Sequence, residues 1–130
     1  MSPDLESVIQ FRLQQSQESI DEAGVLLNTQ HRLGTMRCIY YSMFYAANAL
    51  LASRQLHSAK HTGVIALLNK EFVKTGLFPP EVARLLNKAF DLRQDSDYGD
   101  HQPPDLERLK ELLEGARAFL TAAKLFLAKQ

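Results

Sequence analysis

The stretch Arg37–Leu51, RCIYYSMFYAANALL, constrains this chain more than any other part of it. Tyr40, Tyr41, Phe44, Ala46, Ala47, Leu50 and Leu51 leave it no polar side wide enough to lie against water. A helix that is apolar nearly all round belongs at the centre of a domain. Ala46, Ala47 and Ala49 let neighbouring helices come close, while the hydroxyls of Tyr40, Tyr41 and Tyr45 need partners wherever they are buried. Arg37 stands one turn before Tyr40 and Tyr41 and can share their face. A guanidinium at such a place must be paired or must meet a wet cleft.

The flanking segments read as further helices. Ser2 or Asp4 can cap a first one, with Pro3 suited to its opening turn. Leu5, Ile9, Leu13, Ile20, Ala23 and Leu27 then follow one helical face, with Ser16 filling the step between them, as far as about Asn28. The link Thr29–Gly34 is short, which makes the central helix, running from about Gly34 to Ser53, an antiparallel neighbour of the first. Arg54–His61 reads as a loop. Val64, Ile65, Leu68 and Phe72 mark a shorter third helix, with Gly76 as its stop. Pro79 and Pro80 open a fourth, in which Val82, Leu85, Leu86, Ala89, Phe90 and Arg93 recur at helical spacing. The segment Asp95–Pro104, with Gly99 and a Pro-Pro pair, is expected to break the pattern. A last helix starts at Pro104 or Asp105 and carries Leu106, Leu109, Leu113, Ala116, Leu120, Ala123 and Leu127, with Gly115 as a close contact or a weak point. No segment alternates as a strand does. The expected fold is all-α, an antiparallel up-and-down bundle of four to five helices.

A chain of 130 residues is read as one domain, 1–130, with a single core. Lysine plus arginine and aspartate plus glutamate both total 15, and a zero balance argues against a protein that coats nucleic acid by bulk attraction. It leaves room for one local basic site. Cys38 is the only cysteine, so no internal disulfide and no multi-thiolate metal site can form within one chain. Neither a signal core nor a membrane-spanning run is evident, and the expected location is the cytoplasm, with no membrane partner.

The run Arg37-x2-Tyr40-Tyr41-x-Met43-Phe44-x-Ala46-Ala47-x-Ala49-Leu50-Leu51 resembles the second-helix signature of small prokaryotic HEPN-domain proteins. Lys60-His61-Thr62-Gly63-Val64 and Phe72-Val73-Lys74-x-Gly76 resemble the next two blocks of that group, and Arg93-x3-Asp97-Tyr98 its closing block. The resemblance extends in order from about residue 35 to 99. It implies a helical bundle, usually a homodimer, often encoded beside a small nucleotidyltransferase that acts as the antitoxin of a toxin–antitoxin pair. Many HEPN proteins are metal-independent endoribonucleases with an Arg-x4–6-His motif at a cleft composed by both subunits. The motif arginine falls on Arg93 here. The first position open to the histidine is Tyr98, and His101 lies beyond the allowed spacing, so the chain departs from the nuclease pattern at its proton-transfer position.

Arg93, Asp97 and Tyr98 are therefore the candidate catalytic residues. Arg93 and Asp97 can be a plain ion pair one turn apart, or a phosphate contact held in place by its carboxylate, a task that the planar guanidinium suits. Tyr98 can donate to a phosphate, stack on a base or anchor a loop, but a phenol is a poor general base at neutral pH. Arg37, Tyr41, Lys60 and His61 are the candidate nucleotide-binding residues. Lys60 and His61 stand at a helix start, which favours anions, although His61 can equally pack against the central helix near Tyr41 or Tyr45. Arg37 can belong to a buried network with the tyrosines or line the same cleft as Arg93. No cofactor is expected, and no metal site, because His57 and His61 lack a carboxylate or cysteine between them. Two functions remain open. One is a toxin-like protein acting on RNA through a dimer cleft at Arg93. The other is a non-catalytic module that binds a nucleotide or docks a nucleotidyltransferase.

Overall fold

The Oγ of Ser2 accepts the amide of Leu5 at 3.1 Å and proline fills the first helical position, so α1 begins at once and spans Pro3–Asn28. The computed structural model of the protein describes residues 2–99 and 102–130. His101, considered above as an imidazole source, lies outside them. After α1 come α2 (Arg32–Ser53), α3 (His61–Leu68), α4 (Pro80–Tyr98) and α5 (Leu106–Ala128). A single wide π-helical turn, Asn69–Val73, extends α3. The described residues contain no strand, and no helix among them is long and apolar enough to cross a membrane. The all-α bundle is as expected.

Two helices end without the glycine that usually serves there. Gln30, at φ 61°, follows α1, and Gln55, at φ 57°, follows α2. In each case the next residue turns back on the helix: the amide of His31 donates to the Leu26 carbonyl at 2.8 Å, and that of Leu56 to the Leu51 carbonyl at 2.9 Å. These bonds close the orphan carbonyls of the last turn.

α2 is the centre of the bundle and packs against α1, α3, α4 and α5. Met36, Ile39, Tyr40, Met43, Ala46, Ala47, Ala49, Leu50 and Leu51 are all buried along it. The alanines bring α1 close enough for the Ser16 hydroxyl to donate to the Ser42 carbonyl at 2.6 Å, both residues being fully buried. Ser16 therefore interrupts the apolar face of α1 without leaving an unmet polar group. α5 closes the other side through Phe119 against Phe78 and Phe126 against Phe72, with ring centroids 5.3 and 5.4 Å apart. Gly115 is a close approach: a Cβ there would lie 3.3 Å from the Leu85 methyl of α4.

One boundary differs from the expectation. Asp95–Tyr98 continues α4 rather than breaking it. Its residues contain no helix breaker; Ser96 satisfies its hydroxyl on the Leu92 carbonyl at 2.7 Å and Asp97 pairs with Arg93 one turn back. The backbone leaves the helix only at Gly99, where any Cβ would meet the Asp95 carbonyl oxygen at 2.9 Å. That extra turn carries Asp97 onto the face of α4 that looks at α2.

Candidate functional site

On α2, positions 37, 40, 41 and 44 recur at helical spacing and form one stripe: Arg37, Tyr40, Tyr41 and Phe44. On α4, Phe90, Arg93 and Asp97 form the facing stripe. His61, the first residue of α3, fits between them. The Asp97 side chain is 5% exposed and joins two helices: its Oδ1 accepts the Arg37 Nε at 2.8 Å and its Oδ2 the Arg93 Nε at 2.9 Å. Arg93 is 15% exposed and Arg37 52% exposed, so the first is a packed residue and the second a surface one. The Arg93 guanidinium carbon lies 5.5 Å from the Tyr40 ring centre and 5.4 Å from that of Tyr41, a cation resting on two aromatic rings.

Tyr40 is fully buried, and its hydroxyl meets the Nδ1 of His61 at 2.7 Å. The His61 ring is stacked on Phe44 with centroids 4.2 Å apart. Burial pushes the Tyr40 hydroxyl far above the usual phenol range, against a smaller opposing pull from the Arg93 charge. Burial lowers the His61 imidazole below its ordinary value, and the Arg93 charge lowers it further. The imidazole is therefore neutral at pH 7.

Arg37 and Tyr41 also face an open groove of about 260 Å³ between α1 and α2, whose other walls include Gln15, Glu18, Glu22 and Cys38. The Cys38 thiol lies 3.8 Å from a Glu22 carboxylate oxygen. Burial first, and then that carboxylate, push the thiol up to about 11. Among the described residues no three of histidine, cysteine, aspartate or glutamate gather closely enough to hold a metal ion.

The fold thus brings five of the seven candidate residues together: Arg37, Tyr41, His61, Arg93 and Asp97. Two stand apart from the network. Tyr98, at the end of α4, is 76% exposed. Lys60 is exposed just before α3, where its amide donates to the Ser58 Oγ at 3.2 Å and its side chain caps nothing. The packing reading of His61 is the one observed: it lies on α2 against Tyr40 and Phe44 as well as Tyr41. Sequence reasoning missed the Tyr40–His61 bond and the Arg37–Asp97 bridge. The helical spacing of residues 37, 40, 41 and 44 signalled a shared face, but nothing in the sequence named what faces it.

Residues 9–126 match the HEPN domain. The chain belongs to the HEPN family. Three relatives align with most of the chain. A UPF0332 protein of Thermotoga maritima is 35% identical over 117 residues, which cover 90% of this chain and 89% of that one. The Methanocaldococcus jannaschii protein named "Putative toxin MJ0142" is 31% identical over 115 residues, 88% of this chain and 78% of its own. A second protein of that organism, named "Putative toxin MJ0605", is 27% identical over 124 residues. In this HEPN chain Asp97 ties the Arg93 guanidinium of α4 to Arg37 of α2.

Proposed function

We propose that this HEPN protein is toxin-like and acts on RNA at a cytoplasmic dimer cleft centred on Arg93, which two copies of the chain complete. The observation that carries the reading is the carboxylate of Asp97, which holds guanidinium groups from two helices by their Nε atoms. An arginine held by Nε keeps its two Nη groups for another acceptor, and a planar pair of N–H donors matches phosphate oxygens. In RNA cleavage by the 2′-hydroxyl, negative charge grows on the phosphate, and a pre-oriented cation stabilises it more in the transition state than in the ground state. The relatives named as toxins support the toxin-like part of the proposal.

A second reading, a non-catalytic module that binds a nucleotide or docks a nucleotidyltransferase, is favoured by two observations. Tyr98 occupies the histidine position of the motif, and Glu18 and Glu22 beside Arg37 make the α1–α2 groove of mixed charge. A polyanion is repelled by such a wall more than a protein surface with its own basic residues is. Purified protein incubated with mixed RNA in EDTA separates the two. Cleavage that survives EDTA, vanishes in Arg93→Ala and persists in Tyr98→Phe supports the nuclease. Intact RNA, with a nucleotide or a nucleotidyltransferase retained by the protein, would replace it with the module.

A further inference from the structure

Tyr40 is wholly buried, so its phenolic proton needs an acceptor inside the fold. The Nδ1 of His61 is the partner its hydroxyl has among the described residues. Were Nδ1 to carry a proton and donate it, the phenol's own proton would have nowhere to go. An unmet buried donor costs more than an ordinary hydrogen bond returns. The hydroxyl therefore donates, Nδ1 accepts, and the imidazole proton resides on Nε2. The neutral state of both groups agrees with this, since burial disfavours the charged form of each.

The Nε2 of His61 has no partner among the described residues, and no buried side-chain nitrogen or oxygen of those residues lacks one. His61 is half-buried, so its Nε2 reaches the surface. The same holds for the Nη groups of Arg93, whose one side-chain bond among the described residues is made by Nε. His61 and Arg93 rest on the same two rings: the imidazole centroid is 5.7 Å from Tyr40 and 5.8 Å from Tyr41. Both donor-bearing side chains thus touch the same pair of rings, close enough for the Arg93 charge to act on the imidazole.

We propose that Tyr40 is a positioning residue that fixes His61 as its Nε2–H tautomer, so that the imidazole offers a neutral donor, beside the Arg93 guanidinium, to a phosphodiester oxygen. The identity of that oxygen as part of an RNA rests on the function proposed above; the tautomer and its taste for an oxyanion do not. A neutral donor next to a cation suits a phosphate monoanion, because it adds a directed bond without a second buried charge to desolvate.

The test is nitrogen-detected NMR of the 15N-labelled full chain at pH 7, with His61→Gln to assign the ring. The expected spectrum has a protonated Nε2 and an unprotonated Nδ1 in the wild type, and exchange between the tautomers in Tyr40→Phe, which keeps the buried ring. Titrating inorganic phosphate should move Nε2 in the wild type, with an apparent Kd about fivefold weaker in Tyr40→Phe, the size of one lost hydrogen-bond constraint. A proton on Nδ1, a Tyr40→Phe spectrum like that of the wild type, or an Nε2 that ignores phosphate would each overturn the inference. A 2′-O-methyl oligoribonucleotide forms the second arm. If phosphate moves Nε2 and the oligonucleotide does not bind, the RNA reading fails and the tautomer stands; if the oligonucleotide binds and Nε2 stays still, the RNA reading stands and the phosphodiester contact at His61 fails.

Discussion

The Nε of Arg37 donates to Oδ1 of Asp97 across 2.8 Å, although 60 positions separate the two residues. This bond fastens the last turn of α4 to the first half of α2, and the same carboxylate orients Arg93. Because Asp97 is 5% exposed, its loss leaves the packed Arg93 without a counter-charge, whereas the loss of surface-exposed Arg37 leaves Asp97 still paired. Breaking a buried pair by removing one partner is costly, and losing an exposed ion is not. We expect Asp97→Ala to lower stability by about 2–3 kcal/mol and Arg37→Ala by less than about 1 kcal/mol, read by urea denaturation. Equal costs for the two variants would show that Asp97 does not act as the shared anchor.

His61 makes stability depend on pH with a definite sign. Its imidazole is lowered below the ordinary 6.5 by burial first and by Arg93 second, so the unfolded chain binds the proton more readily than the folded one. The contribution is fully present above 6.5 and drains away as pH falls from that value through the lowered one. Thermal melts of the wild type should therefore fall through this range more steeply than melts of His61→Gln. Parallel curves would mean that His61 titrates alike in both states.

Cys38 should be a sluggish nucleophile. The folded thiol ionises near 11 against an ordinary 9.0, which leaves about a hundredfold less thiolate at pH 8. Alkylation by iodoacetamide in the native state should be slower than in the urea-unfolded chain by about that factor. Glu22→Gln removes the second cause and should recover part of the rate, while an unchanged rate would assign the whole effect to burial.

Gln30 and Gln55 hold left-handed backbones that a side chain resists. Replacing either by glycine relieves that resistance, less the extra freedom glycine gives the unfolded chain. Gln30→Gly and Gln55→Gly should each stabilise by about 0.5–1 kcal/mol, seen as a Tm a few degrees higher. A lowered Tm at both positions would mean that the glutamine side chains hold more than the turn.

Periodicity served well where one helix alone decides its structure. The apolar face of α1, the all-round burial of α2 and the stripe Leu109, Leu113, Ala116, Leu120 of α5 were all legible, because a buried helix advertises its burial in its own residues. The ends of α1 and α2 fall at Asn28 and Ser53 as expected, although Gln30 and Gln55 take the left-handed backbone that glycine usually supplies. The end of α4 was missed: Asp95–Tyr98 stayed helical because the polar run held no breaker before Gly99. The candidate site was read in halves. Arg93 with Asp97 and Arg37 with Tyr41 each lie on one helix, at spacings that bring side chains together.

The order of residues along the chain was enough to set an all-α bundle and its central helix, and to place Arg93 and Asp97 one turn apart on α4. Those are local properties, governed by helical period, capping and residue type. Which side chains meet across helices was settled by packing: Asp97 with Arg37, Tyr40 with His61, and Arg93 over the two tyrosine rings. Such pairs join residues 21 to 60 positions apart, and their geometry follows from how closely the helices pack. Spacing along one helix carries no record of that distance.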